Sequence, residues 1–467
     1  MKPVVRQQSN KAVVGGKQRS YNEVIEYFDS AWSRKIDTTL QTIKRLDQAF
    51  SNVSTKINTI LVAGTNGRSL TINFTAQLLR AEGLNVGALY APHVLTYNER
   101  FATNGELISN KVFTDIANEV INAAEQLELQ ANTHELLTIM ALLYFKQENV
   151  DVALIEVGKE GSIHPANICH PKVVAITRLS SDDETKVPQI MDDLLNLVKK
   201  DTYLVSADQS KLNLQKMQDA ASVRGGNWAM PIRKLAQLNY PFEQLHGRCA
   251  ALAERISHTY INSILNRDSL VISGKFITKQ PGQRGRPTRE TTRDRERNPK
   301  PTIDQYWKET YSTLPGRFEI LEKEKPTILL DTASNLDAFE NILLGIRLLH
   351  YERALKGLTL VIGCNNPSLN MPEFLKLLRY FFKKTSGQVI VCAVDPIPGL
   401  DENPAWDVEK VTNDIKSMKI KARSAGSFKE AFEAAQKSVD ERHGLVVVTG
   451  SSSIVAEYWK EKGIKKL

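Results

Sequence analysis

Several features that would place a chain quickly are scarce in this sequence. Only four cysteines occur in 467 residues, Cys169, Cys249, Cys364 and Cys392, far apart and with no CxxC pair. That spacing argues against a disulfide framework and a structural zinc site, and for a reducing compartment. There is no uninterrupted apolar run of about 18 residues, so a membrane-spanning helix is not expected. The first twenty residues lack an apolar core of signal-peptide type, so a cytoplasmic protein is expected rather than a secreted one. Their acid-free basic character would also suit a transit peptide. No internal repeat of fixed period is found.

Charge of either sign is plentiful, with 61 Lys and Arg against 53 Asp and Glu, for a net charge of +8. The excess is local. Residues 1–20 carry five cations and no acid, and residues 274–300 carry nine cations against Glu290, Asp294 and Glu296. The remainder is mildly acidic, which is not the pattern of a nucleic-acid-binding body. The 274–300 tract is rich in Gly, Pro and Arg and has no apolar periodicity. A solvated linker is the plain reading, and a tether to RNA or an acidic surface is the other. No aromatic residue stands between 277 and 305, which weakens a reading based on stacking against bases.

Outside these tracts, helix and strand patterns alternate. Apolar runs at 58–63, 86–90, 151–157, 172–177 and 201–205 read as buried parallel strands. Helices are expected at 21–28, 36–50, 70–82, 110–127 and 134–147, and a further helix at 250–265 shows Glu254 and Arg255 as a solvated face. A second series has strands at 327–330, 357–362, 388–394 and 444–448, with helices at 336–354, 371–384 and 428–440. Two βα series imply an α/β protein of two doubly wound domains, with ligand between them at the carboxyl ends of the strands. The expected division is a basic extension at 1–20, an N-terminal P-loop-type domain at 21–272, a basic linker at 273–305 and a smaller Rossmann-like domain at 306–467.

The strongest chemical signal is Gly64-Thr65-Asn66-Gly67-Arg68-Ser69, between a strand and a helix, where backbone N–H groups can cradle phosphates. A standard loop of this kind ends in Gly-Lys-Ser/Thr; here Arg68 stands in the lysine's place. A plain βα turn needing two glycines is the alternative.

Around this loop the chain resembles the folylpolyglutamate synthase/dihydrofolate synthase branch of the Mur ligase superfamily. GTNGRSL is similar to that family's GTNGKGS. Ala91-Pro92-His93, followed by Asn98-Glu99-Arg100 and Asn104-Gly105, is similar to its Ser-Pro-His loop and Asn-Gly turn. Residues 132–138, with Glu135 and Thr138, resemble its T-x-F-E-x-x-T helix, and Ile155-Glu156-Val157-Gly158 its strand-end L-E-V-G. Pro315-Gly316-Arg317-Phe318-Glu319 opens the second domain as in the family, and Asp331-Thr332-Ala333-Ser334-Asn335 stands where it has Asp-Gly-Ala-His-Asn. The shared order runs over about 20–265 and 310–467.

The resemblance implies an ATP- and Mg2+-dependent ligase adding L-glutamate to a folate or dihydropteroate carboxylate through an acyl phosphate. It implies nucleotide contacts from Gly64, Thr65, Asn66, Gly67, Arg68 and Ser69, with Arg317, Asp331 and Asn335 reaching in from the second domain. Glu156 and Asp182 would hold the ion, Arg68 and Asp183 would act in catalysis, and His93 and Arg100 would meet the substrate. Small-molecule partners and a monomer are expected. Departures fall on the chemistry. Besides Arg68, the serine before Pro-His is Ala91, the Asp-His after the fifth strand is Asp182-Asp183, and the second domain's histidine is Ser334. The family's carbamylated lysine has no counterpart in residues 193–197, Lys199 lying one turn too late, and its Gly-Arg-Leu-Asp stretch reads Gly161-Ser162-Ile163-His164. A catalytically impaired relative kept for binding or interaction is therefore the alternative function. His164 is read as a solvated turn, His134 as packed or exposed, and Tyr306, Trp307 and Tyr311 as packing residues.

Overall fold

The structure, a computed structural model, describes residues 16–230, 235–269, 302–397 and 406–467. Residues 1–15 and the basic tract at 274–300 lie outside the described residues. None of the described helices is long and apolar enough to cross a membrane, and all four cysteines are free thiols.

Two sheets organise the chain. The first has eight strands: β1 (Thr59–Ala63), β2 (Val86–Leu89), β3 (Phe101–Thr103), β4 (Glu106–Leu107), β5 (Val152–Val157), β6 (Val173–Ile176), β7 (Tyr203–Ser206) and β8 (Asn227–Trp228), in the order β4-β3-β2-β5-β1-β6-β7-β8. The second has six: β9 (Glu319–Leu321), β10 (Thr327–Leu330), β11 (Leu358–Ile362), β12 (Gln388–Cys392), β13 (Ala422–Ala425) and β14 (Leu445–Thr449), in the order β13-β12-β11-β14-β10-β9. The central strands β1 and β5 are buried at every residue, as near-continuous apolar runs between two helical layers should be. Each sheet also carries antiparallel edge strands that the apolar pattern did not reveal, β3 and β4 in the first and β9 in the second. Asn104 and Gly105 turn the β3–β4 hairpin with φ of 54° and 83°, a pair of left-handed residues matched to strand twist.

Helix boundaries follow local hydrogen bonding. The helix expected from residue 36 begins only at Gln41, because Asp37 ties residues 37–42 into a turn by accepting from the Thr39 and Thr42 amides. Residues 16–20 are not a loose extension. Arg19 is buried on the helix Asn110–Gln126, where its guanidinium donates to Asn122 and Glu125 and its amide to Asn118.

The helix Phe242–His258 ties the two sheets together. It packs along the helix Arg68–Ala81 on one side, while Leu245 enters the second sheet's core beside Phe318 and Leu343. Glu254 is buried rather than solvated, accepting from the Trp307 indole at 2.7 Å. Trp307 belongs to the helix Ile303–Thr310 and stacks edge-on against Phe74 at 5.3 Å. Burying an aromatic side chain of this size contributes about 2–3 kcal/mol. The boundary expected at 305/306 falls inside this helix, which packs on elements of the first sheet.

Candidate active site

A cavity of about 710 Å3 opens between the two units, at the carboxyl ends of β1, β5, β6, β10 and β14. The Gly64–Ser69 loop forms one wall. Its path depends on Gly64 (φ 133°), where a Cβ would lie 2.3 Å from Thr177 Oγ1, so no side chain fits. Thr177 Oγ1 in turn donates to the Asn66 carbonyl at 2.7 Å, and the Thr65 amide donates to the Arg178 carbonyl at 2.9 Å. The loop is thus stitched to the end of β6. Gly67 (φ 81°) then opens the helix Arg68–Ala81 with no side-chain cap. The partial positive charge of this helix end faces the cavity's lining residues Gly67 to Thr71, a setting that favours anions.

Arg68 turns back into the loop. Its Nη1 donates to the carbonyls of Gly64 (2.5 Å) and Thr65 (2.8 Å), and its Nε donates to Glu156 Oε1 at 3.0 Å. Glu156, at the end of β5, has a side chain only 1% exposed. Its second oxygen accepts from the Ser69 hydroxyl at 2.8 Å and the Ala91 amide at 3.2 Å. A buried carboxylate requires such a counter-charge, and removing one partner from a buried pair costs about 3–5 kcal/mol.

The opposite wall comes from the second unit. Arg317 donates to Thr332 Oγ1 at 2.6 Å, and loss of solvent pulls its guanidinium below the ordinary arginine value. Asp331 accepts the amides of Phe318 and Ala333, each at 2.8 Å. Desolvation nevertheless pushes its carboxyl up to about 6. The walls touch through Asn66, whose side chain exchanges hydrogen bonds with Asn335 and donates to Asp337 at 2.6 Å. An Arg178–Asp337 ion pair at 2.7 Å reinforces that contact.

The expected residues fall into two groups. Gly67, Thr65, Asn66, Arg68, Ser69, Glu156, Arg317, Asp331 and Asn335 line the one cavity, and Gly64 shapes its loop. The others do not join them. Asp182 Oδ1 accepts the Leu336 amide at the start of the helix Leu336–Glu352, leaving Oδ2 buried without a partner. Asp183 is exposed and holds the Thr185 amide and hydroxyl. His93 and Arg100 are buried against each other, Arg100 Nε donating to His93 Nδ1 at 2.9 Å. Burial holds His93 neutral, well below the usual histidine range, and lowers Arg100 to about 10. His164 is half-buried rather than solvated and accepts from the Ala166 amide. Lys199 is spent on the Asn167 and Cys169 carbonyls. Among the described residues, no group of three His, Cys, Asp or Glu side chains converges as a metal site.

Sequence reasoning missed Arg248, Arg347, His246 and Cys249, which also line the cavity. No motif marks them, because they come from two helices that meet only in the folded chain. His246 bonds the Tyr311 hydroxyl at 2.7 Å and is lowered to about 4 by burial.

No family model matches the chain. Over 224 residues it is 27% identical to the dihydrofolate synthase/folylpolyglutamate synthase of Bacillus subtilis, covering 46% of this chain and 49% of the relative. About half of this chain is thus similar in sequence to a dihydrofolate synthase/folylpolyglutamate synthase. The alignment spans about half the length of that curated relative, so sequence likeness alone does not reach across the whole protein. The fold does. The folylpolyglutamate synthase of Mycobacterium tuberculosis complexed with ADP superposes with a TM-score of 0.73 at 19% identity, covering 95% of this chain and 98% of that one. The bifunctional folylpolyglutamate synthase/dihydrofolate synthase of Yersinia pestis, complexed with AMPPNP and a Mn ion, gives 0.69 at 19%, covering 98% and 100%. Among the described residues the chain has the fold of these solved synthases, α/β with two mixed sheets.

Proposed function

We propose that this chain is an ATP-dependent carboxylate–amine ligase that adds L-glutamate to a folate or dihydropteroate carboxylate. The observation that carries this reading is the cleft itself, with an anion-favouring Gly64–Ser69 loop on one wall and Arg317 and Asp331 on the other. The ATP phosphates lie along Gly64–Gly67 and the first turn of the following helix, and Arg317 reaches them from the second unit. The substrate carboxylate takes the γ-phosphoryl group and releases ADP. The glutamate amine attacks the acyl phosphate carbon, the C–O bond to phosphate breaks, and a new amide and inorganic phosphate remain. The protein's part is to position the reactants and to hold cations against the transferring charge.

A divalent ion is the expected companion of the nucleotide, with Glu156 as a carboxylate bonded to the end of the loop. The donors present do not fit it as they stand, because both Glu156 oxygens are engaged by Arg68, Ser69 and Ala91. The reading carries with it a cytoplasmic, monomeric enzyme whose partners are small molecules.

The full chain incubated with MgATP, glutamate and dihydropteroate or tetrahydrofolate should release ADP only when all three substrates are present. Mass spectrometry should show the pterin substrate extended by a glutamyl residue. Absence of a glutamylated product with either pterin substrate would overturn the reading.

A further inference from the structure

The side chain at the end of the phosphate loop is already saturated on one edge. Arg68 Nε–H faces Glu156, and Nη1 serves the Gly64 and Thr65 carbonyls. A guanidinium has five N–H donors in a fixed plane. That leaves the two Nη2 hydrogens with no partner among the described residues, on a side chain that is 21% exposed and lines the cavity. These two hydrogens diverge from one nitrogen, so each can make a charge-assisted bond to a different phosphate oxygen. On the other side, Glu156 presents no free oxygen, and Ala91 offers only its amide. Asp182 holds the second unit's helix, and Asp183 faces solvent. The place a divalent ion would need beside Glu156 is therefore filled by a positive charge that belongs to the chain.

Resting on the nucleotide reading above, we infer that Arg68 is the resident cation of this loop. Its Nε edge neutralises Glu156, its Nη2 edge receives the polyphosphate, and nucleoside di- and triphosphates bind the cleft with little dependence on divalent metal. An ammonium could not do this. A lysine is a point charge without the planar fork, and it could not serve Glu156, two carbonyls and a phosphate together. With lysine at 68, Glu156 would be left with an oxygen free for an ion.

Calorimetric titration of the full chain with ADP, once in excess Mg2+ and once in EDTA, tests the inference. The native chain should bind with affinities within about threefold in the two buffers, and Arg68→Lys should lose about tenfold or more on passing into EDTA. A native chain that itself loses tenfold in EDTA overturns the inference and leaves the nucleotide reading standing. If Arg68→Lys is as indifferent to Mg2+ as the native chain, Arg68 is not the resident cation. Should ADP bind in neither buffer, the nucleotide reading fails and this inference with it. The native comparison stands alone if the variant does not fold.

Discussion

The Gly64–Ser69 loop and the turn at Asp182–Lys186 make an instructive pair. Both follow neighbouring parallel strands of one sheet, β1 and β6, and both were expected to serve the nucleotide and its ion. The first builds the cleft. The second caps helices, with Asp182 on Leu336 and Asp183 on Thr185. The difference lies in what fixes each segment. The loop's role is a backbone conformation, set locally by two glycines at positive φ. The role of an aspartate in a turn depends on which donor the rest of the fold brings to it, and here those donors are two amides and a threonine hydroxyl.

The largest test of this contrast is Gly67→Asp. A Cβ there would lie 2.9 Å from Cys249 Sγ at φ 81°, and a carboxylate would enter the anion position. ADP affinity measured by calorimetry should fall by about a hundredfold or more. A variant that stays folded and keeps its affinity within tenfold would break the assignment of the loop.

Of intermediate size is the titration of Asp331 on the far wall. Desolvation raises its carboxyl to about 6 from the ordinary 3.8, against the opposing pull of the Phe318 and Ala333 amides and Arg317. The folded state therefore binds that proton more tightly than the unfolded one, and stability is lost as pH rises from about 4 through 6. Asp331→Asn has no proton to lose. Between pH 4.5 and 7 the native melting temperature should fall further than the variant's by a few degrees, roughly. Parallel profiles for the two proteins would show that Asp331 is not held neutral.

Asp183→Ala should do least. The side chain is exposed and faces its own turn, so ADP affinity should change by less than about twofold. A large loss would return Asp183 to the cleft and erase the contrast with the loop.

Much of the architecture was legible because it is written in continuous buried runs. The strands NTILVA, DVALIEV and GLVVV could hardly be anything else, and the loop after the first is marked by its glycines. What escaped is short or decided at a distance. The β3–β4 hairpin and β9 are two or three residues long and partly exposed, too short for a period to declare itself. Glu254 lies on what reads as a polar helix face and is buried only because Trp307, 53 residues on, brings an indole N–H to it. His93 and Arg100 were expected to meet a ligand and instead meet each other. A list of polar residues carries no information on which of them will be partners.

Asn66 sits in the phosphate loop, yet its amide is clasped by Asn335 and Asp337 of the second unit. Parting the walls breaks those bonds, so the same side chain registers both the state of the loop and the separation of the two sheets. Any motion that parts the walls therefore also frees the side chain that links the loop to the second unit.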